Sequence, residues 1–173
     1  MNGITKFEKL EGTRQEEVQF GEWKFFDDRL KVMLPDILKP MTKENIAYYY
    51  PKEDRPAILL SDEKADYQCG FQYFPGIKCQ WSNLFEISQE VARIVEDSQP
   101  MREVSRVYTS FAEKFVMHWF TVNMRIKKRM YEQLEFLLPL QGHLVIGTLL
   151  YPEEEKIRWH GIGEEVFQSI QCR

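Results

Sequence analysis

The clearest pattern lies in the second half of the chain, where four apolar-rich runs follow one another: VSRVYTSF (104–111), KFVMHWFTVNM (114–124), YEQLEFLLPL (131–140) and HLVIGTLLY (143–151). Short polar or glycine-bearing connections separate them, as antiparallel meanders require. In the last three runs both alternating sets of residues are largely apolar, which predicts central strands covered on both faces. Upstream, VQFGEWKFF and RLKVMLP read as two short strands turning at Asp27 and Asp28, with Pro35 ending the second. YQCGFQYF alternates Tyr67, Cys69, Phe71 and Tyr73 against Gln68, Gly70 and Gln72, a period-two strand, and AILLS before it is a short strand opened by Pro56.

Two segments carry a helical period instead. Within NLFEISQEVARIVEDSQ, Leu84, Ile87, Val91, Ile94 and Val95 recur at spacings of three and four, and Asn83 with Glu86 has the spacing of a capping box. From Pro152 to Ile170, Trp159, Ile162, Val166, Phe167 and Ile170 form one apolar stripe behind an acidic start. Gly161 and Gly163 weaken that helix by about 1 kcal/mol each, which predicts a kink or a close approach to the sheet, and one bent helix is expected. A shorter helix over TKENIAYYY begins at Thr42 and stops at Tyr50, because Pro51 disfavours helical backbone in the residue before it. Ile46 with Tyr49 or Tyr50 would form its buried side.

The resulting order is strand, strand, short helix, two strands, long helix, a four-strand meander and a final helix. At FGEWKFFDDRLKVMLP, YYYPKEDRPAILLS, the amphipathic helix, LVIGTLLYPEEE and the tryptophan-bearing last helix, the chain resembles the PsbP-like family, over about Phe20 to Ile170. The same fold is shared by a small nuclear-import factor that binds the Ran GTPase. The resemblance implies an α+β fold, an antiparallel sheet flanked by helices on both faces, used for docking in characterised relatives. In those relatives a tyrosine-proline segment ending in arginine-proline joins the short helix to the next strand, matched here by Tyr50, Pro51, Glu53, Arg55 and Pro56. A joint is therefore preferred over a recognition surface for that stretch, with Arg55 holding Glu53 or backbone carbonyls. Unlike secreted or lipoprotein members, the chain shows neither an export signal nor a lipid-attachment cysteine near its start.

With 173 residues the chain can bury about 70% of its unfolded surface, and one domain is expected over 1–173, with 18–171 as the folded unit and 1–17 as a flexible or peripheral segment. The net charge of -4 lacks the global positive field that drives binding to phosphate backbones, although a local patch could still exist, so nucleic acid is a weak candidate and is not expected as a partner. No run approaches the roughly 20 apolar residues of a membrane span. A cytoplasmic location is expected, and no membrane partner is implied. Cys69, Cys79 and Cys172 have no C-X-X-C spacing and are expected as free thiols.

Candidate chemistry is sparse. His118 alternates in register with Val116 and Phe120 and reads as a satisfied, partly buried histidine; His143 follows Gly142 at a hairpin. His160 and Glu164, at helical spacing, make at most half of a metal site, so neither metal nor cofactor is implied. Most acidic residues fall in turns or helix starts; Glu135, flanked by Leu134 and Phe136 inside a strand, is an exception that would oppose Arg106 or Lys114. The preferred reading is a non-enzymatic docking domain with an unidentified protein partner, acting as a monomer or homodimer. Candidate contacts are Tyr48 and Tyr49 on the short helix, and Arg125, Lys127, Lys128 and Arg129 between two long strands. The alternatives are an enzyme or small-molecule binder with a pocket between the sheet and the helix from Asn83 to Gln99, and an accessory or immunity-type protein of a secretion system.

Overall fold

The computed structural model describes residues 17–173; apart from Glu17, the N-terminal segment expected to be peripheral lies outside them. The elements in chain order are β1 (Phe20–Phe25), β2 (Leu30–Pro35), β3 (Lys39–Pro40), α1 (Lys43–Tyr49), β4 (Ile58–Ser61), β5 (Gln68–Lys78), α2 (Leu84–Ser98), β6 (Tyr108–Phe111), β7 (Val116–Ile126), β8 (Arg129–Leu140), β9 (His143–Pro152), α3 (Lys156–Ser169) and β10 (Gln171–Cys172). Seven strands form one sheet in the order β3-β4-β5-β9-β8-β7-β6, and β1-β2-β10 form a second, three-stranded sheet. All the pairings are antiparallel.

Alternation along β7, β8 and β9 sends side chains into a separate core on each face. Phe120, Val122, Met124, Tyr131, Leu137, Leu144 and Leu150 pack with Leu84 and Ala92 of α2. On the opposite face, Trp119, Leu134, Phe136, Leu138, Val145, Leu149 and Tyr151 pack with Trp159, Ile162, Val166 and Phe167 of α3 and with Leu30, Val32 and Leu34 of β2. The predicted two-sided burial of the long strands is thus met by α2 on one side, and by α3 with the small sheet on the other. Each fully buried Leu, Val or Phe is worth about 1.5–3 kcal/mol relative to exposure, so these two cores dominate the stability.

Close packing at two glycines fixes the sheet's detail. Gly147 lies opposite Phe136 in the β8–β9 ladder, and a Cβ there would come within 2.2 Å of the Phe136 ring. Gly163 brings α3 onto the sheet: a Cβ would sit 3.2 Å from Leu134 Cδ1, the close approach anticipated for that helix. The β8–β9 turn places Gln141 and Gly142 both at positive φ, as the tightest hairpins demand.

Several expectations need correction. The stripe of α2 that reaches deepest is Leu84, Ser88 and Ala92, and Ile94 is 52% exposed. Spacing alone identifies an apolar sector but not its centre, which here lies one residue over. The Asn83–Glu86 capping box does not form; Asn83 Oδ1 instead accepts from Gln80 N–H (2.8 Å), closing a 3-10 turn over Trp81–Asn83. The first meander strand shortens to β6, with only Val104 bridging to Val122 upstream. There the Ser105 hydroxyl accepts the Thr121 N–H (2.8 Å) that a ladder carbonyl would have taken. Strands β3 and β10, two residues each, were not anticipated. Cys69, Cys79 and Cys172 are free thiols.

Candidate functional site

Helix α1 starts where Thr42 Oγ1 accepts the Asn45 N–H (3.2 Å) and ends where Tyr50 N–H bonds Ile46 C=O ahead of Pro51. Tyr50 turns inward, its hydroxyl donating to Gln68 Oε1 (2.9 Å), and burial pushes its pKa up to about 12. Arg55 Nη1 donates to Tyr50 C=O (3.3 Å), so the arginine of the Tyr-Pro…Arg-Pro stretch does hold a backbone carbonyl. Inward anchoring of Tyr50 leaves its two predecessors to the outside: Tyr48 is 61% exposed, Tyr49 is half-buried, and their rings meet edge to face at 4.8 Å.

The basic residues occupy the β7–β8 hairpin, where Ile126 pairs with Arg129 and Lys127 takes φ 57° at the tip. Lys127 Nζ lies over the Tyr48 ring, 5.2 Å from its centroid. An exposed contact of this kind is worth about 0.5–1 kcal/mol. It joins α1 to the hairpin, so the structure brings Tyr48, Tyr49 and Lys127 together. Lys128 shares the tip, while Arg125 opposes Met130 and projects toward the α3 face. Arg129 is committed differently: its guanidinium pairs with Glu154 (2.5 Å) and approaches Asp66 (3.9 Å). Its flat side lies 5.7 Å from the Tyr131 ring, whose hydroxyl donates to Asp66 (2.8 Å). It thus braces the base of the hairpin.

Behind this surface, burial gathers ionisable groups that sequence spacing did not connect. Glu132, 5% exposed on β8, accepts from Tyr151 Oη (2.8 Å) and from His160 Nε2 (2.5 Å). A carboxylate only accepts, so Nε2 must carry the proton in this contact. Burial pushes the Glu132 carboxyl up, but the hydrogen bonds from His160 and Tyr151 and the charges of His160 and Lys156 outweigh it and hold it below its ordinary range. His160 therefore latches α3 to the sheet through Glu132, whereas Glu164 takes the hydroxyl of Ser110 (2.5 Å), which in turn accepts from Trp119 Nε1 (2.9 Å). Glu135 lies beside Phe120 on the α2 face, bonded to Gln133 Nε2 (3.0 Å) rather than to Arg106 or Lys114; burial raises its pKa, against the charge of Arg102. Arg106 instead lies over Tyr108. His118 is nearly buried, 3.1 Å from Thr109 Oγ1 and against Phe85, and burial lowers its pKa. These groups largely satisfy one another.

A second exposed surface escaped the sequence reading. Phe111 is 77% exposed on edge strand β6, next to Val116, and Trp81 stacks on Phe115 at 4.6 Å. Trp81 and Phe115 border a groove of about 470 Å³ between the β6–β7 turn and β10, lined also by Lys114, Gln168 and Cys172. Another groove, of about 450 Å³, is floored by Tyr67, Trp159 and Ile162. Neither is lined by residues of α2, where a small-molecule pocket had been considered. No pattern marks Trp81 or Phe111 as exposed in a chain this rich in buried aromatics. Among the described residues no group of three or more His, Cys, Asp or Glu could hold a metal ion, and no helix is long and apolar enough to cross a membrane.

No protein-family model matches the sequence, and no curated protein does. Solved structures do. The chain is similar to cyanobacterial PsbP (CyanoP) from Synechocystis sp. PCC 6803, with a TM-score of 0.63 and 11% identity over 95% of this chain and 99% of that one. It is similar to the Ran-binding protein Mog1p of Saccharomyces cerevisiae, with a TM-score of 0.56 and 11% identity over 90% and 96% of the two chains. LpqN of Mycobacterium tuberculosis, involved in cell envelope biogenesis, follows with a TM-score of 0.51 and 9% identity over 90% and 91%. Identities this low speak to fold alone, and the fold that the elements and these similarities establish is the PsbP-like one.

Proposed function

We propose that this chain is a non-enzymatic, cytoplasmic docking domain that receives a protein partner on the surface shared by α1 and the β7–β8 hairpin. The observation that carries this reading is the Lys127 ammonium over the exposed Tyr48 ring, which makes one continuous aromatic and basic surface from two distant parts of the chain. Exposed tyrosines are among the side chains that dominate partner recognition, since they combine large contact area with directed polarity, and a charge beside one steers the partner's approach. The buried Glu132 and Tyr151 and the half-exposed His160 are spent on one another, which leaves them poorly placed to act on a substrate. A yeast protein with this fold is Ran-binding, so the architecture is compatible with such work.

The test is quantitative affinity capture from cells with the tagged chain and three variants: Tyr48→Ala, Lys127→Glu and, on the other exposed surface, Phe111→Ser. One defined partner should be recovered by the wild type and by Phe111→Ser, and fall at least about fivefold with the first two, as loss of a central aromatic contact implies. Equal recovery by all forms, or loss confined to Phe111→Ser, would reject this surface.

A further inference from the structure

Resting on that docking reading, we infer that the segment received at α1 and the β7–β8 hairpin is a short acidic stretch of a partner protein. Its carboxylates meet Lys127 and Lys128, and its apolar side chains lie against Tyr48. The argument is one of charge complementarity. The whole chain has a net charge of -4, yet Lys127 and Lys128 at the hairpin tip form no ion pair among the described residues. Lys127 lies over the exposed Tyr48 ring from the hairpin with Lys128 next to it at the tip, while Arg55 is committed to the Tyr50 carbonyl. Arg129, already held by Glu154, keeps the hairpin in place without contributing a free charge. Fixed cations beside an aromatic face suit a segment that alternates carboxylates with apolar side chains, and steer its approach within a Debye length of about 8 Å.

The same neighbourhood disfavours a nucleic acid. Glu44 on α1 and Glu53 and Asp54 in the loop after it lie near Tyr48 and Arg55 along the chain. A duplex, with one phosphate charge per about 1.7 Å of axis, would bring a continuous line of negative charge past those carboxylates. A short acidic segment needs only a few carboxylates, set at Lys127 and Lys128, with its apolar side chains against Tyr48.

Fluorescence anisotropy with the purified full chain tests this. The probes are a fluorescein-labelled peptide of alternating aspartate and leucine, the same peptide with asparagine for aspartate, and a labelled single-stranded oligothymidine. The aspartate peptide should bind, more weakly as salt rises, and the asparagine peptide should bind about tenfold less well. Reversing both tip charges (Lys127→Glu with Lys128→Glu) should weaken the aspartate peptide by about tenfold or more, and Tyr48→Ala by about fivefold, with thermal unfolding confirming that each variant is folded. Equal binding of the asparagine peptide, indifference to charge reversal, or tighter binding of oligothymidine overturns the inference. Failure of the aspartate peptide alongside Tyr48-dependent partner capture removes only the acidic segment, whereas partner capture indifferent to Tyr48 and Lys127 removes the docking surface itself.

Discussion

Replacing Glu132 with glutamine changes one oxygen for an NH₂ in a buried position and keeps the shape. The wild-type carboxylate accepts from Tyr151 Oη at 2.8 Å and His160 Nε2 at 2.5 Å. Hydrogen bonds to a charged acceptor contribute about 1.5–3 kcal/mol and neutral ones about 0.5–1.5. Losing the charge at two bonds should therefore cost about 2 kcal/mol near neutral pH, or a fall of about 4–8 °C in Tm for a chain of this size. The sign of the pH dependence is determined by the lowered carboxyl pKa. Between that value and the ordinary one of about 4.3 the unfolded chain binds more protons than the folded one, so stability rises with pH in that window. The contribution is complete above the ordinary value and lost as pH falls through the folded one. Calorimetric or urea unfolding from pH 7 down to pH 3 should thus show the two proteins converging in acid, while partner capture at low temperature is unchanged. Equal stability at pH 7, or a gap that persists undiminished in acid, would refute the view of Glu132 as the sheet's half of a structural latch.

Three further outcomes are expected. Gly147→Ala should destabilise the protein by about 1–3 kcal/mol in urea unfolding, because the new Cβ meets the Phe136 ring at 2.2 Å and that ring is already wedged against Phe71 and Phe167. Glu135→Gln should raise stability at neutral pH by about 1 kcal/mol. Since the folded state raises the Glu135 pKa, wild-type stability declines as pH climbs from the unfolded value through the folded one, and the variant should lose that decline. A thiol reagent at pH 8 should modify at most Cys172, slowly, since burial pushes its pKa up to about 11, and all three cysteines once denaturant is added.

The parts of the fold that were legible share a physical origin. In β7, β8 and β9 both alternating sets are largely apolar, so strand type and two-sided burial follow together. In α3 and its C-cap Ile170 the five stripe residues are all buried, because this side of the helix packs on the seven-stranded sheet and on β2. Strands of two residues, such as β3 and β10, are too short to show a period, and pairing partners alone define them. The Glu132–His160 latch was hidden for a similar reason. A histidine on a helix suggests the acid one turn away, but the sheet placed beneath α3 offered a closer one. Tyr48 and Lys127 were each visible as exposed, chemically distinctive residues. Their meeting depends on α1 and the β7–β8 hairpin lying at the same end of the molecule, which no local pattern encodes.

The most direct measurement is a double-mutant cycle on partner binding with Tyr48→Ala, Lys127→Glu and the two combined, read as dissociation constants of the purified complex. One shared recognition surface predicts that each single change weakens binding severalfold and that the pair loses less than the product of the two, because the residues act through one contact. Wild-type affinity in all three proteins would contradict it.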